Sequence, residues 1–130
     1  MEPREILDAA RVIAIVGLSD KPDRDSHGVA RYLQRAGYRI VPVNPAVREV
    51  LGEMSYADLR DIPFAVDVVD IFRKPEAVPE IVDAAIAVGA KAVWMQLGVV
   101  HEAAAAKARA AGLAVVMDRC IAVEHRLRRR

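Results

Sequence analysis

Residues 12–33 read VIAIVGLSDKPDRDSHGVARYL. A five-residue apolar run, VIAIV, stops at Gly17, and a polar loop follows. A segment with Val29, Leu33 and Ala36 on one face then begins. A short continuous apolar run predicts a strand buried on both faces, and the three-to-four-residue spacing after it predicts an amphipathic helix. Strand, glycine turn and helix in that order open a nucleotide-binding βαβ unit. A dinucleotide fingerprint would read G-x-G-x-x-G at the turn, whereas this chain has Gly17, Leu18 and Ser19.

The pattern repeats along the chain. RIVPV (39–43), VDVVDIF (66–72), KAVWMQ (91–96) and AVVM (114–117) are the further predicted strands. Helices are predicted at about 3–10, from Ser26 as N-cap to about 36, from Pro75 to about 88, and at 101–111. Residues 46–65 are less regular, with a helical turn at 56–60. The end of the chain, CIAVEHRLRRR, reads as a short helix fraying into a basic tail at about 126–130. Strands alternating with helices require right-handed crossovers and a mostly parallel sheet. The expected fold is therefore α/β: a three-layer, Rossmann-like domain with a mostly parallel five-stranded sheet, and a single domain over residues 1–130.

Bulk properties narrow the function. The chain has 130 residues, enough for one well-built core. Its formal net charge is +1, so no global field draws in nucleic acid or an anionic membrane. No apolar run is long enough to span a bilayer, and the N-terminus lacks the layout of a signal peptide. The single cysteine, Cys120, excludes an internal disulfide and fits a reducing cytoplasm, the expected compartment. One cysteine and three scattered histidines give no metal-ligand spacing.

In open parallel sheets ligands bind outside the carboxyl ends of the strands. That rule selects five loops before any motif is read. In the first, Gly17 permits a tight turn and close approach, Ser19 offers a hydroxyl, and Lys21 and Arg24 add charge. Gly28 leaves the first turn of the following helix unobstructed, and Asp20, Asp23 and Asp25 offset the two cations. In the second, Asn44 and Pro45 can bond or pack on an adenosine, or simply end the strand. Asn44 stands where a ribose-binding acid is expected, which argues against a nicotinamide dinucleotide. In the third, Phe72, Arg73, Lys74 and Pro75 combine an apolar surface with cations suited to phosphate. In the fourth, Gln96 emerges beside Leu97 and Gly98, and His101 reads as a surface cap rather than an acid or base. In the fifth, Cys120 and His125 are five residues apart, off the spacings that face one another on a helix. Cys120 reads as a small buried residue, and Trp94 as a core or interface residue.

Together, GLS (17–19), VPVNP (41–45), DVVDIFRKPE (67–76), KAVWMQLGV (91–99) and VVMDRCIAVEH (115–125) resemble the small stand-alone CoA-binding proteins. These are single-domain relatives of the CoA-binding N-terminal domain of the succinyl-CoA synthetase alpha subunit. The resemblance covers about residues 10–127. It implies coenzyme A, or an acyl-CoA, as cofactor at the carboxyl edge of the sheet. Gly17, Leu18 and Ser19 would lie near the pyrophosphate or adenosine, with Lys21 and Arg73 as phosphate cations. Asn44 and Pro45 would match the NP after the second strand, and Phe72, Arg73 and Pro75 the loop after the third. Gln96, Leu97 and Gly98 would lie along the pantetheine arm. Relatives often carry a lysine just after NP, and Ala46 stands there in this chain, so Arg48 or Lys74 would have to substitute. The synthetase draws its catalytic histidine from a second domain, so the resemblance implies binding without catalysis. The expected partner is a small molecule, with no nucleic acid and no membrane; a protein partner for the basic tail is left unidentified. The alternatives are an NAD(P)-dependent enzyme and a nucleotide-sensing regulatory module in the same crevice.

Overall fold

A computed structural model describes residues 1–128. Its main sheet has strands β1 (Val12–Val16), β2 (Arg39–Val43), β5 (Val68–Ile71), β6 (Ala92–Met95) and β7 (Ala114–Val116). Their order is β2-β1-β5-β6-β7, and every pairing is parallel. The predicted three-layer, Rossmann-like architecture is the one observed, with the main sheet wholly parallel. The irregular stretch folds into an antiparallel ribbon of β3 (Glu49–Val50) and β4 (Glu53–Met54), then a 3-10 turn at Leu59–Asp61. Leu51 and Gly52, at φ 54° and 79°, form its reversal.

Alternation along the strands divides the core into two layers. Ile13 and Ile15 of β1 join Val68 and Trp94 beneath helices α1 (Pro3–Ala9), α2 (Asp25–Arg35) and α5 (Ile121–Leu127). Ala14, Val16, Val69, Ile71, Val93 and Met95 face the other way, beneath α3 (Val78–Ala87) and α4 (Glu102–Ala110). No helix among the described residues is long and apolar enough to cross a membrane.

Three local readings need correction. Ser26 does not cap α2: the cap position is Arg24, and Ser26 is buried in the first turn, where its Oγ accepts the Ser19 N–H at 3.0 Å. The serine is spent on holding the preceding loop to the helix. The third helix does not run unbroken from Pro75, because residues 75–77 form a 3-10 turn before α3 begins. The basic tail is not frayed from residue 126. Arg126 and Leu127 belong to α5, and Arg128 donates to Asp8 of α1 at 2.9 Å. Residues 129–130 of that tail lie outside the described residues.

The sheet order places the switch point between β1 and β5. The chain leaves β1 toward β2 on one side and returns to β5 on the other, so the loops after β1 and β5 diverge there and leave a crevice. Gly17 follows β1 directly and Phe72 follows β5 directly.

Candidate functional site

At the switch point the two loops touch. Gly17 has φ +88°, and a Cβ on it would lie 2.4 Å from the carbonyl oxygen of Phe72. Both the conformation and the contact demand glycine. Beside this contact opens a cleft of about 1020 Å³, large for a small-molecule site. Its walls are the α2 residues Gly28, Val29 and Tyr32 and the α5 residues Ala122, Val123 and Arg126. The post-β5 loop supplies Phe72, Arg73, Lys74 and Pro75, the post-β6 loop supplies Gln96, Leu97 and Gly98, and Cys120 closes the far side. Arg24, Arg73, Lys74 and Arg126 set four cations against the two carboxylates of Asp23 and Asp25. The excess is positive and local, in a chain of formal charge +1. The amino end of α2, at Arg24 and Asp25, opens on the same side with the positive end of its dipole.

Gly28 and Gly98 matter for what they lack. Both line the cleft, and beyond the adjoining backbone no atom of the described residues lies within 4 Å of where a Cβ would stand. Gly98 has φ +81°, and its N–H donates to Asp118 Oδ1 at 2.7 Å. Asp118 has φ 58°, so a left-handed turn after β7 holds the post-β6 loop in place. Gln96 is buried, and its Oε1 accepts the Ile121 N–H at 3.0 Å, fixing the start of α5. That bond orients the amide and leaves its NH₂ unspent among the described residues.

The expected site residues do not form one surface. Phe72, Arg73, Pro75, Gln96, Leu97 and Gly98 line the main cleft. Gly17 and Ser19 border a smaller depression that shares Asp23, Arg24, Asp25 and Phe72 with it. Pro45 lines a separate hollow of about 260 Å³ on the α3 side, and Arg73 is common to that hollow and the cleft. The side chain of Leu18 is fully buried in the core. Lys21 is exposed and lies outside the cleft. Both ends of the Asn44 amide are engaged: its Nδ2 donates to Leu18 O at 3.0 Å, and its Oδ1 accepts the Ala46 N–H at 2.9 Å. Its amide stitches the post-β2 turn to the post-β1 loop. Of the two substitutes for a lysine after NP, Lys74 lines the cleft and Arg48 does not.

Tyr32, Val29, Ala122, Val123 and Arg126 complete the cleft and were not anticipated. Val29 lies on the apolar face of α2 with Leu33, and Arg126 falls in the basic end of the sequence, so neither carries a local ligand signal. His101 caps α4 as expected, accepting the Ala104 N–H at Nδ1. Trp94 is a core residue whose Nε1 donates to Arg119 O at 2.8 Å. Cys120 is half-buried in the cleft wall rather than in the core. Beneath the cleft, Asp70 of β5 is wholly buried, and neither carboxylate oxygen has a hydrogen-bond partner among the described residues. Burial pushes its pKa well above the ordinary carboxylate range.

The model of a CoA-binding domain matches residues 11–126. The chain belongs to the CoA-binding domain family. Within this family, it is 42% identical to YneT of Bacillus subtilis, an uncharacterized protein, over 95% of this chain and 92% of that one. A hypothetical protein from Pyrococcus horikoshii is 46% identical and superposes with TM-score 0.93, covering 96% of this chain and 88% of that one. The dinucleotide-forming acetyl-coenzyme A synthetase 1 of Ca. Korarchaeum cryptofilum, in complex with phosphate and ADP, is 25% identical. It superposes with TM-score 0.76, and the match covers 85% of this chain but 26% of that much longer protein. The similarity to acyl-CoA chemistry is therefore through a synthetase's CoA-binding-type domain, and CoA binding is the general property that the family confers.

Proposed function

We propose that this chain binds coenzyme A or an acyl-CoA across the carboxyl edge of its sheet and performs no chemistry on it. The observation that carries the reading is the cationic, glycine-bordered cleft at the switch point of a CoA-binding domain. In this reading Arg24, Arg73 and Lys74 hold the phosphates, and the amino end of α2 adds its dipole. Arg73 is the hinge of the arrangement because it borders both hollows. The adenosine rests toward Pro45, and the phosphates cross Gly17 and Ser19. The pantetheine arm runs along Phe72 and the Gln96–Gly98 segment, with its thiol end toward Cys120. Gly28 and Gly98 leave room for a chain-like ligand against the backbone. Absence of catalysis is inferred from the polar groups: His125 is bonded to Tyr32 and Arg128, and these bonds hold its ring away from service as a base for Cys120.

Titration calorimetry with CoA, dephospho-CoA, adenosine and NAD tests the proposal. CoA is expected to bind at least about tenfold more tightly than NAD, a difference of about 1.4 kcal/mol. Equal weak heats for all four ligands would remove it. Preference for NAD would turn the reading toward a dehydrogenase or redox sensor.

A further inference from the structure

The cleft is polarised along the sheet edge. Its cations Arg24, Arg73 and Lys74 come from the loops after β1 and β5, whereas Leu97, Cys120 and Val123 come from the segments after β6 and β7. The strands stand in that same order in the sheet, so charge gives way to apolar surface from one end of the cleft to the other. Charged side chains at the second end are largely spent. Asp118 accepts the Gly98 N–H at 2.7 Å, and Arg119 is paired with Glu124 at 3.1 Å.

Two features of the apolar end point to what covers it. Leu97 on the post-β6 loop is 67% exposed and Val123 on α5 is 40% exposed, and both line the cleft. Apolar side chains left in water on two walls of one cleft gain from cover by an apolar group. Between them stands a built hydrogen-bond donor. Gln96 is 5% exposed, and its Oε1 accepts the Ile121 N–H at 3.0 Å. Its Nε2 has no hydrogen-bond partner among the described residues and is not sealed from solvent, and Gln96 lines the cleft. With Oε1 engaged, the amide offers a donor and no acceptor. An amide of a pantetheine arm brings an N–H of its own that needs an acceptor, whereas a thioester carbonyl only accepts. The lone donor beside exposed apolar side chains therefore matches a thioester. Arg126 also lines the cleft, but it is exposed, with its guanidinium over the Tyr32 ring at 5.4 Å. An exposed guanidinium gains little from a carboxylate in water.

We propose that the ligand is a thioester of CoA with a short aliphatic acyl group. Gln96 Nε2 donates to the thioester carbonyl, and the acyl chain lies across Leu97 and Val123. This acyl site rests on the reading of the cleft as a CoA site. Titration calorimetry on the wild type with CoA, butyryl-CoA, S-butyl-CoA and succinyl-CoA tests it. S-butyl-CoA keeps the chain length and has a methylene in place of the carbonyl, and succinyl-CoA keeps the thioester but ends in a carboxylate. Butyryl-CoA is expected to bind about tenfold more tightly than CoA, with S-butyl-CoA between them. Succinyl-CoA is expected to bind more weakly than butyryl-CoA, because its carboxylate loses water against apolar walls. In Leu97→Ser and Val123→Ser, both at exposed positions, the advantage of butyryl-CoA over CoA is expected to shrink to about threefold or less. Equal affinity for CoA and butyryl-CoA overturns the acyl site. S-butyl-CoA as tight as butyryl-CoA overturns the Gln96 contact, and succinyl-CoA tighter than butyryl-CoA overturns the aliphatic assignment. Sedimentation of the ligand-free protein is expected to give the same species for the wild type and Leu97→Ser. A wild-type dimer dispersed by Leu97→Ser would give the apolar end to a second copy and overturn the proposal. If none of the four ligands binds the wild type, the CoA reading falls and the acyl site with it, whereas CoA binding without an acyl preference overturns the acyl site alone.

Discussion

The post-β2 turn and the post-β5 loop border the same sheet edge, and both carry residues suited to a nucleotide. They differ in what their polar atoms are doing. Both ends of the Asn44 amide are spent on backbone groups, Leu18 O and the Ala46 N–H. Arg73, by contrast, lies between two hollows with no hydrogen-bond or ion-pair partner among the described residues, and Lys74 beside it lines the cleft. Residue type alone ranked the two loops together. Hydrogen-bond accounting separates them: a group that already has its partners stabilises the fold, and one without them is available to a ligand.

The largest expected effect comes from breaking the contact between these loops. Gly17→Ala would strain a residue at φ +88° and drive its Cβ into a backbone carbonyl that cannot yield. A loss of about 3 kcal/mol or more is expected in denaturant unfolding. A loss below about 1 kcal/mol would show that the post-β5 loop is free to move.

Next comes the pair that sharpens the contrast directly. Arg73→Ala is expected to weaken CoA binding about ten- to a hundredfold and leave the unfolding midpoint nearly unchanged. Asn44→Ala should do the opposite, costing about 1–2 kcal/mol of stability with little change in affinity for the folded protein. Reversed effects in calorimetry and thermal melts would exchange the roles of the two loops.

Asp70 tests the ground beneath the cleft. Its folded pKa is raised by burial, so the folded state keeps a proton that the unfolded chain releases near pH 3.8. Stability is therefore fully present below that pH and is lost as pH rises toward the folded value, at up to about 1.4 kcal/mol per pH unit. Asp70→Asn keeps the shape and removes the titration, so its stability profile should be flatter in this window. A wild type that grows more stable from about pH 4 to about pH 6, once set against Asp70→Asn, would contradict the assignment.

The smallest effect is Gly28→Ala. Alanine favours the helix by up to about 1 kcal/mol, and beyond its own helix the Cβ meets no atom of the described residues within 4 Å. The melting temperature should rise while CoA affinity falls. A stabilised variant with unchanged affinity would take the α2 wall out of the binding surface.

Much of the fold was legible because its signals are local. VIAIV and RIVPV are bounded by a glycine and by an Asn-Pro, and β1 and β2 occupy just those residues. Burial on both faces of a parallel sheet writes a continuous apolar run, which needs no knowledge of the partner strand. Half of the expected site, Phe72 through Pro75 and Gln96 through Gly98, lines the cleft because strand ends of such sheets converge by topology. Arg126 and Tyr32 were not legible. They are 94 positions apart in the sequence, and only the docking of α5 against α2 makes them one wall.

The amino-acid sequence by itself determined the alternation of strand and helix, the parallel sheet, the glycine at the switch point and the family. Each is written in neighbouring residues. Only the tertiary structure decided that Asn44 is a stitch, that Ser26 ties a loop instead of capping a helix, and that Arg126 belongs to a docked helix whose cap residue, Arg128, reaches α1. A side chain's function depends on whether its hydrogen bonds are already spent, and those partners come from distant parts of the chain, brought together only by folding.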